Sequence, residues 1–78
     1  MDAMYISKRL KELRAANGFS QERLAELLNV SRQTVSIWEN ERSYPDVHNL
    51  IMLCDIYSVS LDDLMKGDIE IMKKEVSN

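Results

Sequence analysis

Residues 20–40, SQERLAELLNVSRQTVSIWEN, contain two helix-start signals separated by a very short connection. Ser20 and Ser31 are each suited to cap a helix, because a serine hydroxyl can accept a backbone N–H from the first helical turn. Asn29 stands between the segments and tolerates the left-handed backbone that ends a helix. So short a connection forces the helices to cross at a large angle. The predicted helices span about residues 21–28 and 32–40.

The second of these helices has two unlike faces. Val35 and Trp38 are three residues apart and are predicted to pack on the preceding helix, with Val30 before the cap contacting Val35 as a hydrophobic staple. Arg32 and Gln33 fall in the first turn of the opposite face. A first turn rich in hydrogen-bonding side chains, on a helix anchored from behind, is expected to project toward a ligand.

Similar signals divide the rest of the chain into helices. An apolar face with Ile6 and Leu10 predicts a first helix that stops at Asn17-Gly18, because glycine favours the left-handed position after a helix. Asp46 begins a fourth helix and Ser60 a short fifth, which Gly67 is predicted to end. The apolar stripe predicted for the fourth helix comprises Val47, Leu50, Ile51, Cys54 and Tyr57. The sequence therefore predicts an all-α fold of five helices.

Composition indicates one small domain. The chain has 78 residues, is 45% hydrophobic, and contains one proline, two glycines and one cysteine, which favour helices and rule out an internal disulfide framework. It contains no apolar run of about 18 residues, the length needed to span a membrane. We therefore expect a cytoplasmic protein.

Charge is unevenly distributed. The formal net charge is −3, which is unusual for a nucleic-acid-binding protein. Residues 1–45 hold seven basic and six acidic side chains, whereas residues 46–78 hold three basic and seven acidic ones. A local patch in the first half can still attract phosphates, although strong non-specific affinity for DNA is not expected.

No arrangement typical of an enzyme is present. The sequence shows no nucleophile paired with a base, no glycine-rich phosphate loop and no cluster with metal-ligand spacing, and His48 stands alone. Asp62 and Asp63 cannot act as an acid–base pair, because adjacent helical side chains point apart. We expect no catalysis, cofactor, metal or small-molecule ligand.

The C-terminal segment, residues 68–78, is ambiguous. Met65, Ile69, Met72 and Val76 recur at heptad-like spacing, yet Ile69 and Ile71 alternate with an acid as in a strand. The segment is predicted to be a short tail, either disordered or part of a dimer interface. The candidate interface residues are Leu61, Met65, Ile69, Met72 and Val76.

Residues 20–40, followed by SYPDVHNLIMLCDIYSVSLDDLM at residues 43–65, resemble the Cro/phage-repressor type of helix-turn-helix protein, the xenobiotic-response-element class of bacterial regulators. The resemblance covers roughly residues 5–67. It implies a lambda-repressor-like DNA-binding domain at residues 1–67. It also implies a core contact between the two motif helices through Ala25, Val35 and Trp38, and an internal ion pair between Arg14 and Glu39.

The resemblance also assigns DNA contacts. The implied base-contacting residues are Arg32, Gln33, Ser36 and Ile37. The implied phosphate-contacting residues are Gln21, Ser31, Thr34, Asn40, Arg42, Ser43 and Tyr44. Two positions depart from the family pattern, since relatives usually carry lysine at Ile37 and glycine at Glu41. Both departures lower the expected non-specific affinity, although isoleucine can contact a thymine methyl group.

The resemblance implies sequence-specific binding of double-stranded DNA. We expect a homodimer that recognises a near-palindromic operator, because one small module buries too little surface for tight binding. Repression is the expected outcome, since so short a chain leaves little room for an activation domain. The alternative is a protein-interaction module of antitoxin or anti-repressor type, which the acidic second half and the missing lysine at Ile37 support to a modest degree.

Overall fold

A computed structural model describes the backbone of residues 4–76 and the side chains as far as Lys74. Within this range the chain forms six helices and no strand. The helices are α1 (Tyr5–Ala16), α2 (Gln21–Leu28), α3 (Arg32–Glu39), α4 (Val47–Tyr57), α5 (Leu61–Leu64) and α6 (Lys66–Val76). The all-α prediction is confirmed, but the predicted number of five helices is too small, because the C-terminal segment is helical.

The predicted caps are confirmed by hydrogen bonds. The hydroxyl of Ser20 accepts the N–H of Arg23 at 3.0 Å, and that of Ser31 accepts the N–H of Thr34 at 3.1 Å. Asn29 has φ 57° and ψ 45°, the left-handed conformation that the connection requires. The caps of α4 and α5, Asp46 and Ser60, are used in the same way. Short polar side chains therefore determine where these helices begin.

Helices α2 and α3 form the helix-turn-helix pair. Ala25 of α2 is buried together with Val35 and Trp38 of α3, in a core to which α1 contributes Ile6 and Leu10. The small side chain at Ala25 suits the close approach of the two helices. The predicted motif core is therefore in place, and it fixes α3 from behind.

The apolar stripe predicted for α4 is only partly correct. Tyr57 is buried and Leu50 and Cys54 pack against the core, but Val47 is 71% and Ile51 59% exposed. Leu53, which is fully buried, was not part of the predicted stripe. Apolar residues surround α4 on nearly every side, so periodicity alone did not identify the face that points inward. The prediction that Val47 and Ile51 face the core is wrong.

The predicted end of helix five at Gly67 is also wrong. Helix α5 ends at Leu64, and Gly67 lies in the first turn of α6, where a Cβ atom would stand 2.5 Å from Cγ of Tyr5. Position 67 therefore requires glycine because α1 and α6 pack closely there. It does not require glycine for a turn, since Gly67 is helical. Two hydrogen bonds strengthen this contact, since the Asp68 carboxylate accepts the backbone N–H groups of Tyr5 and Ile6 at 3.2 and 2.7 Å.

None of the helices within residues 4–76 combines the length and apolar character needed to cross a membrane.

Candidate nucleic-acid interface

The outward face of α3 forms one continuous surface with the loop that follows it. Arg32 and Gln33 are exposed in the first turn, while Val35 and Trp38 are buried behind them. We call the shallow depression on this side the recognition face. It is lined by Arg32, Gln33, Ser36, Ile37, Asn40 and Arg42. All four predicted base-contacting residues therefore lie together on one accessible surface.

Hydrogen bonds order the two ends of the recognition face. At the start of α3, the hydroxyls of Ser31 and Thr34 lie 2.9 Å apart. At its end, the amide Nδ2 of Asn40 donates to the backbone oxygen of Ser36 at 2.8 Å and to its hydroxyl at 3.0 Å. These hydrogen bonds hold the polar groups in fixed positions at the protein surface.

The loop after α3 reaches back to other helices. Glu41 has φ 61°, the left-handed region that favours glycine, and its carboxylate accepts the N–H of Met4 at 3.0 Å. The Ser43 hydroxyl donates to the backbone oxygen of Tyr44 at 3.2 Å, and the Tyr44 hydroxyl donates to Asp68 at 2.8 Å. The departure from glycine at Glu41 thus gives the loop a contact with α1.

A chain of polar side chains lies behind the recognition face. Nε of Arg14 donates to Oε2 of Glu39 at 2.8 Å, and Nη2 of Arg14 donates to Oε1 at 3.1 Å. The Glu39 carboxylate, only 2% exposed, also accepts from the amide Nε2 of Gln21 at 3.0 Å. Oε1 of Gln21 in turn accepts from Nη1 of Arg32 at 3.3 Å. The ion pair that the resemblance implies is present, and it continues to a predicted base-contacting residue.

This network fixes the orientation of Gln21. A carboxylate only accepts hydrogen bonds, so the amide nitrogen of Gln21 must face Glu39 and the amide oxygen must face Arg32. The amide nitrogen of Gln21 thus gives one of its two hydrogens to Glu39, and the second is left for the phosphate contact that the resemblance predicts, while the amide oxygen faces the recognition face. The sequence contained no local signal for this arrangement, because Gln21 and Glu39 are 18 residues apart.

Two nearby groups have shifted pKa values. The hydrogen bond to Glu39 raises the pKa of Arg14, so the guanidinium stays charged throughout the accessible pH range. Burial, reinforced by the negative charge of Glu39, raises the pKa of Tyr57 to about 12. The Tyr57 hydroxyl is buried without a hydrogen-bond partner among the described residues. The network therefore holds a fixed pair of opposite charges beside a neutral phenol.

The candidate dimer residues do not share one surface. Met65 is buried and Ile69 packs against the core, whereas Leu61 and Met72 are exposed. The side chain of Val76 lies outside the described residues. Burial of Met65 follows from the packing of α5 and α6, which the heptad-like spacing did not reveal. The exposed residues Val47 and Ile51, one turn apart on α4, were not among the predicted interface residues.

Two capped helices, a left-handed residue between them and an exposed polar first turn define the helix-turn-helix class. Residues 10–64 match the family model described as helix-turn-helix, and the chain belongs to this family.

Similar proteins include bacterial regulators. The chain is 36% identical over 75 residues to the HTH-type transcriptional activator BcrR of Enterococcus faecalis, covering 96% of this chain and 37% of that protein. It is 39% identical over 71 residues to the HTH-type transcriptional regulator ImmR of Bacillus subtilis, covering 91% of this chain and 55% of that protein. The chain thus spans only about a third to a half of the length of these relatives.

Two solved structures have the same architecture. The restriction-modification controller protein C.AhdI of Aeromonas hydrophila superimposes with a TM-score of 0.70 at 31% identity, covering 78% of this chain and 92% of that one. The DNA-binding domain of the P22 c2 repressor superimposes with a TM-score of 0.75 at 29% identity, covering 87% of this chain and 90% of that one. The predicted family and the lambda-repressor-like fold are therefore confirmed.

Proposed function

We propose that this protein binds double-stranded DNA at specific sequences through α3 and thereby regulates transcription. The observation that carries the proposal is the recognition face, where the polar first turn of α3 is exposed while its apolar side is locked in the core. A helix presented in this way fits the major groove, with its N-terminal residues reaching the base edges. The names of the relatives, a transcriptional activator and a transcriptional regulator, support the same role.

Base recognition is assigned to the first two turns of α3. Arg32 can form a bidentate pair with guanine and Gln33 with adenine, each contributing ~1–3 kcal/mol of discrimination. Ser36 and Ile37 lie one turn further along, and exposed Ile37 suits contact with a thymine methyl group. Thus Arg32 and Gln33 would provide most of the specificity.

Backbone contacts are assigned to the groups that flank α3. The proposed phosphate-contacting residues are Gln21, Ser31, Thr34, Asn40, Arg42 and Ser43. Tyr44, which the resemblance also assigns to phosphate, already donates its hydroxyl to Asp68, so we propose that it holds the loop instead. Arg42 lines the recognition face and supplies a positive charge at its edge. Because the chain carries a net charge of −3, we expect these contacts to be few. The affinity should therefore fall less steeply with salt than it does for a protein with many phosphate contacts.

We further propose that the protein acts as a homodimer on a near-palindromic operator, with half-site centres ~34–36 Å apart. Residues 1–67 would form the DNA-binding domain. The tail, residues 68–78, includes most of α6, which is joined to α1 through Asp68, and would contribute exposed side chains such as Met72 to the dimer. The exposed apolar residues available to such an interface include Leu61 and Met72, together with Val47 and Ile51 of α4. A dimer doubles the contact surface, which compensates for the modest charge of each copy.

Repression by occupying a promoter is the simplest consequence of such binding. The similarity to the DNA-binding domain of the P22 c2 repressor supports this outcome, although BcrR is named as an activator. A promoter-reporter assay with the identified operator would separate the two outcomes. We expect expression of this protein to lower the reporter signal, and an increase would establish activation instead.

Enrichment of bound sequences from a random double-stranded DNA pool tests DNA binding directly. We expect a near-palindromic motif with half-site centres about 10 base pairs apart. Replacing Arg32 and Gln33 together by alanine should weaken binding to that motif about thirtyfold or more, since two bidentate pairs are lost. Helicity should not change and the unfolding temperature should change little, because both side chains are exposed and the hydrogen bond from Arg32 to Gln21 lies at the surface.

Lys11→Ala is the matched control, because it removes one exposed positive charge from α1, outside the recognition face. This variant should retain the motif. If the folded wild-type protein enriches no sequence, the proposed function is wrong. If the Arg32 and Gln33 double variant retains full specificity, the assignment of the base-contacting residues is wrong.

A further inference from the structure

The carboxylate of Asp68 joins three parts of the molecule. It lies in the first turn of α6, is only 2% exposed, and accepts the backbone N–H groups of Tyr5 and Ile6 and the hydroxyl of Tyr44. The N-cap residue of α1, Met4, offers no side-chain hydrogen bond, so a residue more than 60 positions away satisfies the first turn of α1. Such charge-assisted bonds in a buried setting are strong and directional.

The loop between α3 and α4 is attached to the same place. Glu41 accepts the N–H of Met4, immediately before the groups held by Asp68, and the Tyr44 hydroxyl lies 2.8 Å from Oδ1 of Asp68. Arg42 stands between these two attachment points and lines the recognition face. Hydrogen bonds thus attach this loop both to the residue before α1 and to a carboxylate supplied by α6.

We propose that Asp68 is a positioning residue for DNA binding, acting through the Tyr44 hydroxyl to hold the loop at residues 40–46 in its DNA-binding conformation. This inference rests on the proposed function and assigns a role to a residue outside the matched segment, residues 10–64. Asp68 is buried and does not itself face DNA. Its contribution is to fix the loop before binding, so that less conformational entropy is lost when the loop meets the phosphates.

The test is a double-mutant cycle on DNA affinity, measured with the motif that the wild-type protein enriches. Asp68→Asn removes the charge and leaves one acceptor oxygen for three donors, and Tyr44→Phe removes only the hydroxyl. Each should lower specific affinity about three- to tenfold, the effect expected from losing one hydrogen bond. The double variant should bind no more weakly than Tyr44→Phe alone, within about twofold.

Glu70→Gln is the matched control, since it removes one negative charge from an exposed position of the same helix. By reducing repulsion from the phosphates it should leave affinity unchanged or raise it slightly, opposite to Asp68→Asn. All variants are compared at a temperature at which circular dichroism shows them to be folded. If Asp68→Asn does not fold, Tyr44→Phe still tests the inference, because it should accelerate amide hydrogen exchange in residues 40–46 of the free protein.

Each outcome has a distinct meaning. If the wild-type protein selects no DNA sequence, the proposed function itself fails. If the wild type selects a motif but Asp68→Asn binds it as Glu70→Gln does, the role of Asp68 is refuted. Losses that multiply in the double variant, or unchanged hydrogen exchange in Tyr44→Phe, would show that Asp68 does not act through Tyr44, which would also overturn the inference.

Discussion

Replacing Arg14 by methionine should strongly destabilise the protein, because it would leave the buried carboxylate of Glu39 without its charged partner. Two of the three side-chain donors to that carboxylate come from Arg14, and the third from Gln21. Removing one partner of a buried ion pair costs ~3–5 kcal/mol. The Arg14 side chain is 22% exposed, so water can reach the vacated space and the lower end of that range applies. The backbone oxygen of Phe19 also loses its bond to Nη1, which adds about 1 kcal/mol.

Urea denaturation followed by circular dichroism measures this loss. A destabilisation of ~3–4 kcal/mol should lower the midpoint by roughly 3 M, taking a slope near 1 kcal/mol per M for a domain of this size. Arg9→Met is the matched control, because Arg9 forms an exposed pair with Asp63 at 3.2 Å, and such a pair contributes only ~0–1 kcal/mol.

A second variant distinguishes two causes of the lost stability, an unpaired Glu39 carboxylate and the simple loss of contacts made by Arg14. Replacing Arg14 and Glu39 together by methionine should recover most of the stability, since apolar residues of similar size often replace a buried pair at little cost. A single Arg14→Met variant that loses less than about 1 kcal/mol would refute the reasoning, as would a double variant no more stable than the single one. The first result would mean that water solvates the Glu39 carboxylate in the folded protein. The second would mean that the loss came from contacts of Arg14 and not from an unpaired charge.

Three further predictions concern packing, titration and backbone conformation. Gly67→Ala should destabilise the protein by ~1–3 kcal/mol through overlap with Tyr5, despite the better helix propensity of alanine. Because the added methyl group would stand 2.5 Å from Cγ and 2.8 Å from Cβ of Tyr5, the same substitution should become stabilising in a Tyr5→Gly background, which removes both atoms; thermal unfolding that shows the same sign in both backgrounds would contradict the packing argument. The pKa of Tyr57 rises from 10.0 to about 12 on folding, so the folded protein favours the neutral phenol. The stabilisation that the neutral phenol gives is complete below pH 10. It is lost as the pH rises toward 12, at about 1.4 kcal/mol per pH unit. Tyr57→Phe should remove this component of alkaline unfolding and be neutral or slightly stabilising at pH 7, since the buried hydroxyl lacks a partner among the described residues; a clear loss of stability at pH 7 would rule this out. Asn29→Ala should cost about 1 kcal/mol and Asn29→Gly almost nothing, because φ is 57° at this position; equal midpoints for the two variants in urea would be inconsistent with backbone strain.

Local interactions made much of the fold predictable from the sequence. Some features depend only on groups within a few residues of one another, namely the caps at Ser20 and Ser31 and the left-handed turn at Asn29. Such features can be predicted from the local sequence. The exposed placement of Arg32 and Gln33 follows from the burial of the opposite face. The sequence therefore determined the helix-turn-helix pair and the composition of the recognition face.

Only the tertiary structure decided how the remaining parts are joined. Val47 and Ile51 face outward because α4 is apolar on nearly all sides, and packing rather than periodicity selects the buried face. Gly67 is required by Tyr5 of a distant helix, and Asp68 caps a helix 62 residues away. A hydrogen bond or steric contact between residues so far apart leaves no pattern in the local sequence. Its partners are defined only once the chain has folded.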